Sequence, residues 1–213
     1  WGDKNNNKIN KKFFYIRNPV RKRILDLRKK IKFTAYKKKI IILIVGGSQG
    51  AKIFDDIIPK SLNLLPVQIK KNIEVYHQCS KNNFVSVKKN YSKNKITSTC
   101  KNFFNNLPDI MFKSQFVISR SGASILSEMT ALGKAPILIP YKFAKNNHQE
   151  KNAKWLVDKG AGTILLENEL TAENLKDKII TFIKNKKKLK EMSKNSFSLG
   201  DSKSLVKLSR IIY

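Results

Sequence analysis

The chain is short of the residues that staple small folds. In 213 residues it has two cysteines, Cys79 and Cys100, no C-x-x-C pair, and two histidines, His77 and His148. Two thiols cannot make a disulfide framework, and this set argues against a structural zinc site. Free thiols suit a reducing compartment. Long apolar runs are also missing. The longest, Ile40 to Val45, stops at Gly46, well below the roughly 18–20 residues that cross a bilayer as a helix. The first dozen residues are rich in Asn and Lys and do not read as a secretory leader. Because the chain starts at Trp1 and not at a methionine, the expectation is a piece of a longer product.

Acidic residues are scarce as well: 15 against 44 basic ones, a formal charge of +29. Such a balance suggests a polyanion partner. Arginine, however, is also scarce. There are 38 Lys and 6 Arg, beside 21 Asn and 25 Ile. Lys, Asn and Ile all have AT-rich codons, so genome bias alone gives this composition. Nucleic-acid sites lean on the planar fork of Arg, and these lysines are scattered along the chain. The expectation is solvated lysine faces and no nucleic acid, with a long-range attraction to anionic membrane surfaces as a middle option.

What the chain does have is an alternation of short β-branched runs and helical patterns. Residues 1–17 read as a flexible linker end, with a short strand at 13–16. Val20, Ile24, Leu27 and Ile31 repeat at helical spacing. Strands are expected at Lys39–Val45, Ile73–His77, Ile96–Thr99, Phe116–Ser119, Ala135–Ile139 and Gly162–Leu166. Helices are expected at Ala51–Leu64, Lys81–Lys89, Pro108–Lys113, Ala123–Leu132 and His148–Lys159, then from Thr171, a plausible N-cap, to the end. Runs apolar on both faces imply a parallel sheet covered twice. The fold class is therefore α/β, a Rossmann-like parallel sheet with helices on both faces, in one domain from 18 to 213.

Three places carry chemistry. Gly46, Gly47 and Gly50 lie in GGSQGA, where a buried strand hands over to a helix. Backbone N–H groups there can approach a phosphate, or the glycines serve only a tight turn. The segment is neither G-x-G-x-x-G nor a Walker loop. The second place is Arg120-Ser121-Gly122-Ala123-Ser124, again at a strand-to-helix junction, with Glu128 further along. A carboxylate there can accept from ribose hydroxyls, or be a first-turn acid on the helix dipole. The third is His148-Gln149, where the amide can donate to and accept from sugar hydroxyls, and the lone His more often caps or packs. His77 and Trp155 read as structural. Arg21 reads either as a phosphate partner or as a surface arginine.

Several blocks in order resemble one family: NPVR (18–21), ILIVGGSQGA (42–51), VYHQ (75–78), SRSGASILSE (119–128), ALGKAPILIPY (131–141), HQEKNA (148–153) and KGAG (159–162). They look like the C-terminal half of the MurG N-acetylglucosaminyltransferases, which convert lipid I to lipid II in peptidoglycan synthesis. The resemblance implies a GT-B fold whose C-terminal domain binds UDP-N-acetylglucosamine. It implies an acceptor domain, absent from this chain, that supplies the general base and binds lipid I at the cytoplasmic face of the bacterial inner membrane. No catalytic residue, metal or cofactor is then expected here. By position, Arg21 and Ser48 match residues of the diphosphate region, and Phe104 matches a main-chain contact to uracil. Ala123, Ser124, Ile125, Leu126, Ser127 and Glu128 match the segment holding diphosphate and ribose, and Gln149 matches a glutamine on the sugar hydroxyls. Ile125 stands where the family commonly has Thr. The alternatives are another GT-B enzyme or a UDP-sugar epimerase, and, from another class, a basic module binding nucleic acid or anionic lipid.

Overall fold

The computed structural model describes residues 18–33, 39–47 and 50–201. The linker reading of 1–17, the strand at 13–16, Ser48 and the last helical stretch from 202 lie outside the described residues. The sheet has six strands: β1 (Ile40–Val45), β2 (Ile73–Gln78), β3 (Thr97–Lys101), β4 (Phe116–Ser119), β5 (Ala135–Leu138) and β6 (Thr163–Ile164). Their order is β3-β2-β1-β4-β5-β6, and every pairing is parallel.

Strand periodicity divides the core in two. In β1, Ile42 and Ile44 enter one apolar cluster and Leu43 and Val45 the other. β4 does the same, Phe116 and Ile118 against Val117. Successive side chains of a strand point to opposite faces, so an unbroken apolar run needs helices on both. On the first face lie α2 (Lys52–Asn63), α4 (Phe84–Lys93), α8 (Ala172–Lys184) and α9 (Lys186–Leu199), with Phe54, Tyr91, Phe182 and Leu189 buried. On the second lie α1 (Lys22–Arg28), α5 (Leu107–Lys113), α6 (Ala123–Ala131) and α7 (His148–Asp158), with Ile24, Met111, Leu126 and Leu156 buried. Fully burying such a side chain is worth about 1.5–3 kcal/mol. No described helix is long and apolar enough to cross a membrane.

The differences from the sequence reading are local. α1 is shorter than its apolar spacing, because Arg21 is still extended and Ile31 lies past the end. Beyond α2, Pro66 caps a short helix that the sequence reading did not include, α3 (Val67–Lys71); its fixed φ suits a helix start. β6 shrinks to two residues. Thr171 does cap α8, accepting from the Asn174 amide at 3.1 Å.

Leaving β1, the chain runs outward through β2 and β3, then returns to β4 on the other side of β1. The direction of winding reverses between β1 and β4. In open parallel sheets, ligands bind at that reversal, outside the carboxyl ends of the strands.

Candidate functional site

Both glycine-bearing corners stand at this reversal, one after β1 and one after β4, and they are built differently. A Cβ on Gly46 would sit 2.6 Å from the Ala51 amide nitrogen, so the first corner is closed by its own backbone. Gly47 has φ +100 and Gly50 φ +74, conformations that side chains oppose. Gly50 presses on Ser80, and the Gln78 amide donates to the Gly47 carbonyl at 3.3 Å. At the second corner Gly122 takes the N-cap position of α6, and a Cβ there would meet nothing within 4 Å. Space stands open over the first turn of α6, whose amide groups have no partner within the helix. Such an end attracts anions.

A cavity of about 450 Å³ lies between the corners, bordered by Gly46, Gly47, Gly50, Arg120, Tyr141 and Gln149. Arg120 is only 8% exposed. It donates to Glu167 through both terminal nitrogens, at 3.1 and 3.2 Å, and to the carbonyls of Ile139 and Pro140 at 3.1 Å each. Burial pushes the Glu167 carboxyl up, but hydrogen bonds from Arg120 and the Lys142 amide more than reverse it, and its pKa falls below the usual value. This pair fixes the loop after β5 as one wall of the cavity.

The expected site residues separate on inspection. Ala123 and Ile125 are half-buried and Ser124 exposed, all in the first turn of α6. The Leu126 side chain is fully buried in the second core, and the Ser127 hydroxyl donates to the Ala123 carbonyl at 3.0 Å. Neither side chain is left for a ligand, and the Leu126 amide is already bonded to the Gly122 carbonyl at 3.1 Å. Phe104 is 2% exposed, edge-on to Tyr76, so its side chain belongs to the core. Gln149 departs from expectation. Its Oε1 already accepts from the amides of Ser121 and Tyr141, at 3.3 and 3.1 Å, so toward a sugar its Nε2 can only donate. Arg21 and Glu128, 107 residues apart, meet in a two-pronged pair: Nε to Oε1 at 2.6 Å and Nη2 to Oε2 at 2.7 Å.

Sequence reasoning gave no individual role to Arg120, Glu167 or Asn152, whose amide donates to the Ser121 carbonyl at 3.1 Å and ties α7 to the second corner. Arg120 and Asn152 lay inside blocks already singled out, but their partners are distant in sequence. His77 is indeed internal. It is wholly buried, its Nδ1 lies 2.9 Å from the Tyr91 hydroxyl, and its Nε2 is 3.4 Å from Asp55. Burial holds it neutral, its pKa pushed down to about 3. Asp55 also accepts from the Ser80 amide at 3.1 Å and hydroxyl at 2.5 Å, and from Asn83 at 3.1 Å. This network braces the loop against which Gly50 packs. His148 donates through Nδ1 to the Lys145 carbonyl at 2.8 Å, a capping contact.

A second large cavity, about 480 Å³, opens near Ile41 at the amino end of β1 and is lined by Lys32, Lys39, Lys113, Lys134 and Lys190. Its glycine, Gly133, lies at a helix-to-strand turn and not at a strand-to-helix corner, and the cavity faces away from the winding reversal. Burial lowers Lys134 there to about 7, while two carbonyls, of Phe112 and Ser114, accept from its ammonium.

The comparisons with known proteins agree with the fold. Residues 41–208 match the glycosyltransferase family 28 C-terminal domain. The chain is 34% identical over 175 residues to the UDP-N-acetylglucosamine--N-acetylmuramyl-(pentapeptide) pyrophosphoryl-undecaprenol N-acetylglucosamine transferase of a Wolbachia strain from Drosophila simulans, covering 82% of this chain and 51% of the relative. The protein of the same name from Rickettsia akari is 41% identical over 160 residues, covering 74% of this chain and 42% of the relative. The crystal structure of Acinetobacter baumannii MurG superposes with a TM-score of 0.74 at 26% identity, covering 89% of this chain and 52% of that one. The chain spans about half the length of the curated relatives it matches.

Proposed function

The chain belongs to the family defined by the glycosyltransferase family 28 C-terminal domain, and from that premise we propose that it binds UDP-N-acetylglucosamine as the donor half of an inverting N-acetylglucosaminyltransferase. The acceptor is the C4 hydroxyl of the muramoyl sugar of lipid I, and the product is lipid II for peptidoglycan. A base outside this half removes the hydroxyl proton, the oxygen attacks the anomeric carbon, and UDP leaves. This half stabilises the leaving diphosphate with the unpaired amides of the first α6 turn and with Arg21. Glu128 takes the ribose hydroxyls, and Gln149 donates to the sugar. The acceptor reaches the site from the cytoplasmic face of the inner membrane, where scattered lysines favour anionic headgroups.

One observation carries this reading: two glycine corners flank the winding reversal, and the one at Gly122 is left open above a helix start. Glu128 follows six residues on, roughly 9 Å along the axis at 1.5 Å per residue, and helical side chains lean back toward the N-terminus. That spacing suits a ribose beside its diphosphate. Calorimetry with UDP-N-acetylglucosamine tests the reading. The folded chain binds the donor but does not turn it over alone, and Glu128→Ala weakens binding at least tenfold with the fold intact. A folded chain giving no heat at millimolar donor would count against it.

A further inference from the structure

We propose that Arg21 makes the site select nucleoside diphosphates over nucleosides, by holding the ribose-binding carboxylate until a diphosphate draws it away. This rests on the donor-site reading above. A ribose needs the two Glu128 oxygens, and both are taken by the Arg21 guanidinium, at 2.6 and 2.7 Å. Any nucleoside must therefore displace Arg21.

The two partners differ in freedom. Glu128 projects from the middle of α6, its side chain 12% exposed and its carbonyl bonded to the Leu132 amide at 3.1 Å. Arg21 precedes α1, and its side chain is 45% exposed. Among the described residues, Glu128 is the one partner of that guanidinium. Arginine swings while the glutamate stays.

Ligand chemistry decides what the swing costs. Uridine brings neutral hydroxyls, which take the place of a two-pronged ion pair and leave the guanidinium without an anion. UDP brings a diphosphate to the start of the same helix, where the freed guanidinium finds a stronger anionic partner. Leaving Glu128 is then offset by arriving at phosphate. The arginine couples the two subsites, so a ligand carrying only the ribose is penalised.

Titration of the full chain with uridine and with UDP, followed by calorimetry or NMR, separates the outcomes. Arg21→Ala is expected to raise uridine affinity about three- to fivefold, the size of an exposed ion pair, and to lower UDP affinity about tenfold or more. Added NaCl should strengthen uridine binding to the wild type, by screening the pair, and leave R21A unmoved. With Glu128→Ala already in place, removing Arg21 should give no gain for uridine. Arg21→Gln repeats the test should the alanine variant fold poorly. Uridine affinity unchanged or weakened in both Arg21 variants, with UDP binding reduced, overturns the proposal. A wild-type chain that binds neither UDP nor UDP-N-acetylglucosamine overturns instead the donor-site reading beneath it.

Discussion

Two buried polar residues, His77 and Arg120, show how differently a charged type can be accommodated. Arg120 is surrounded by partners, the Glu167 carboxylate and two carbonyls. His77 gives its charge up. The unfolded chain takes a proton on this ring near 6.5 and the folded chain only near 3, so between those values the unfolded state holds more proton and stability falls as pH falls. Each pH unit in that window costs up to about 1.4 kcal/mol from this one group. Denaturant titrations from pH 7 to 4 should show that slope, and His77→Gln should flatten it while lowering stability at pH 7. The histidine was legible as structural from its place at the end of a strand. Its partners were not, since Asp55 and Tyr91 lie 22 and 14 residues away and no local pattern announces a hydrogen bond of that kind. Gln149 shows the same limit. Its position in HQEKNA pointed to the site, but the loss of its acceptor oxygen to two backbone amides needed the fold.

Among elements, the two strand-to-helix corners look alike in sequence and answer opposite demands. Gly46 is needed by the protein, because an added methyl collides with Ala51. Gly122 is not, because its φ is −64 and its surroundings are empty. Gly46→Ala is expected to cost about 1–3 kcal/mol, the usual penalty of overpacking. Gly122→Val should lower the melting temperature by only a few degrees, because it swaps a tolerated N-cap for a poor one at a cost of about 1 kcal/mol. It should nevertheless cut UDP binding at least tenfold, because the new side chain fills the ligand's space. Paired melting and binding curves check both. A glycine read from sequence alone leaves turn and ligand readings even, and the contrast appears only when neighbours are in place. Strands were legible wherever both faces are buried, as in β1, because the apolar run is then unbroken. β6 was overread because two paired residues at the sheet edge carry little periodicity, and α3 was missed because five residues hold no helical repeat.

The molecule as a whole is held shut at the meeting of its first and last described helices. Arg28 donates to the Ala131 carbonyl at 2.7 Å and to the Phe197 carbonyl at 3.2 Å, with its guanidinium 3.7 Å from the centre of the Phe197 ring. One side chain thus joins α1, α6 and α9. Gly200 lies against Thr130 and Ala131 at the same place, where a Cβ would come within 2.6 Å of backbone. A protease that clips the chain at the exposed Lys142 and Phe143 would therefore free neither piece. The nicked protein should elute from a sizing column as the intact one does and part into two fragments only in denaturant, since the later piece stays gripped through α9 and the β5–β6 pairing.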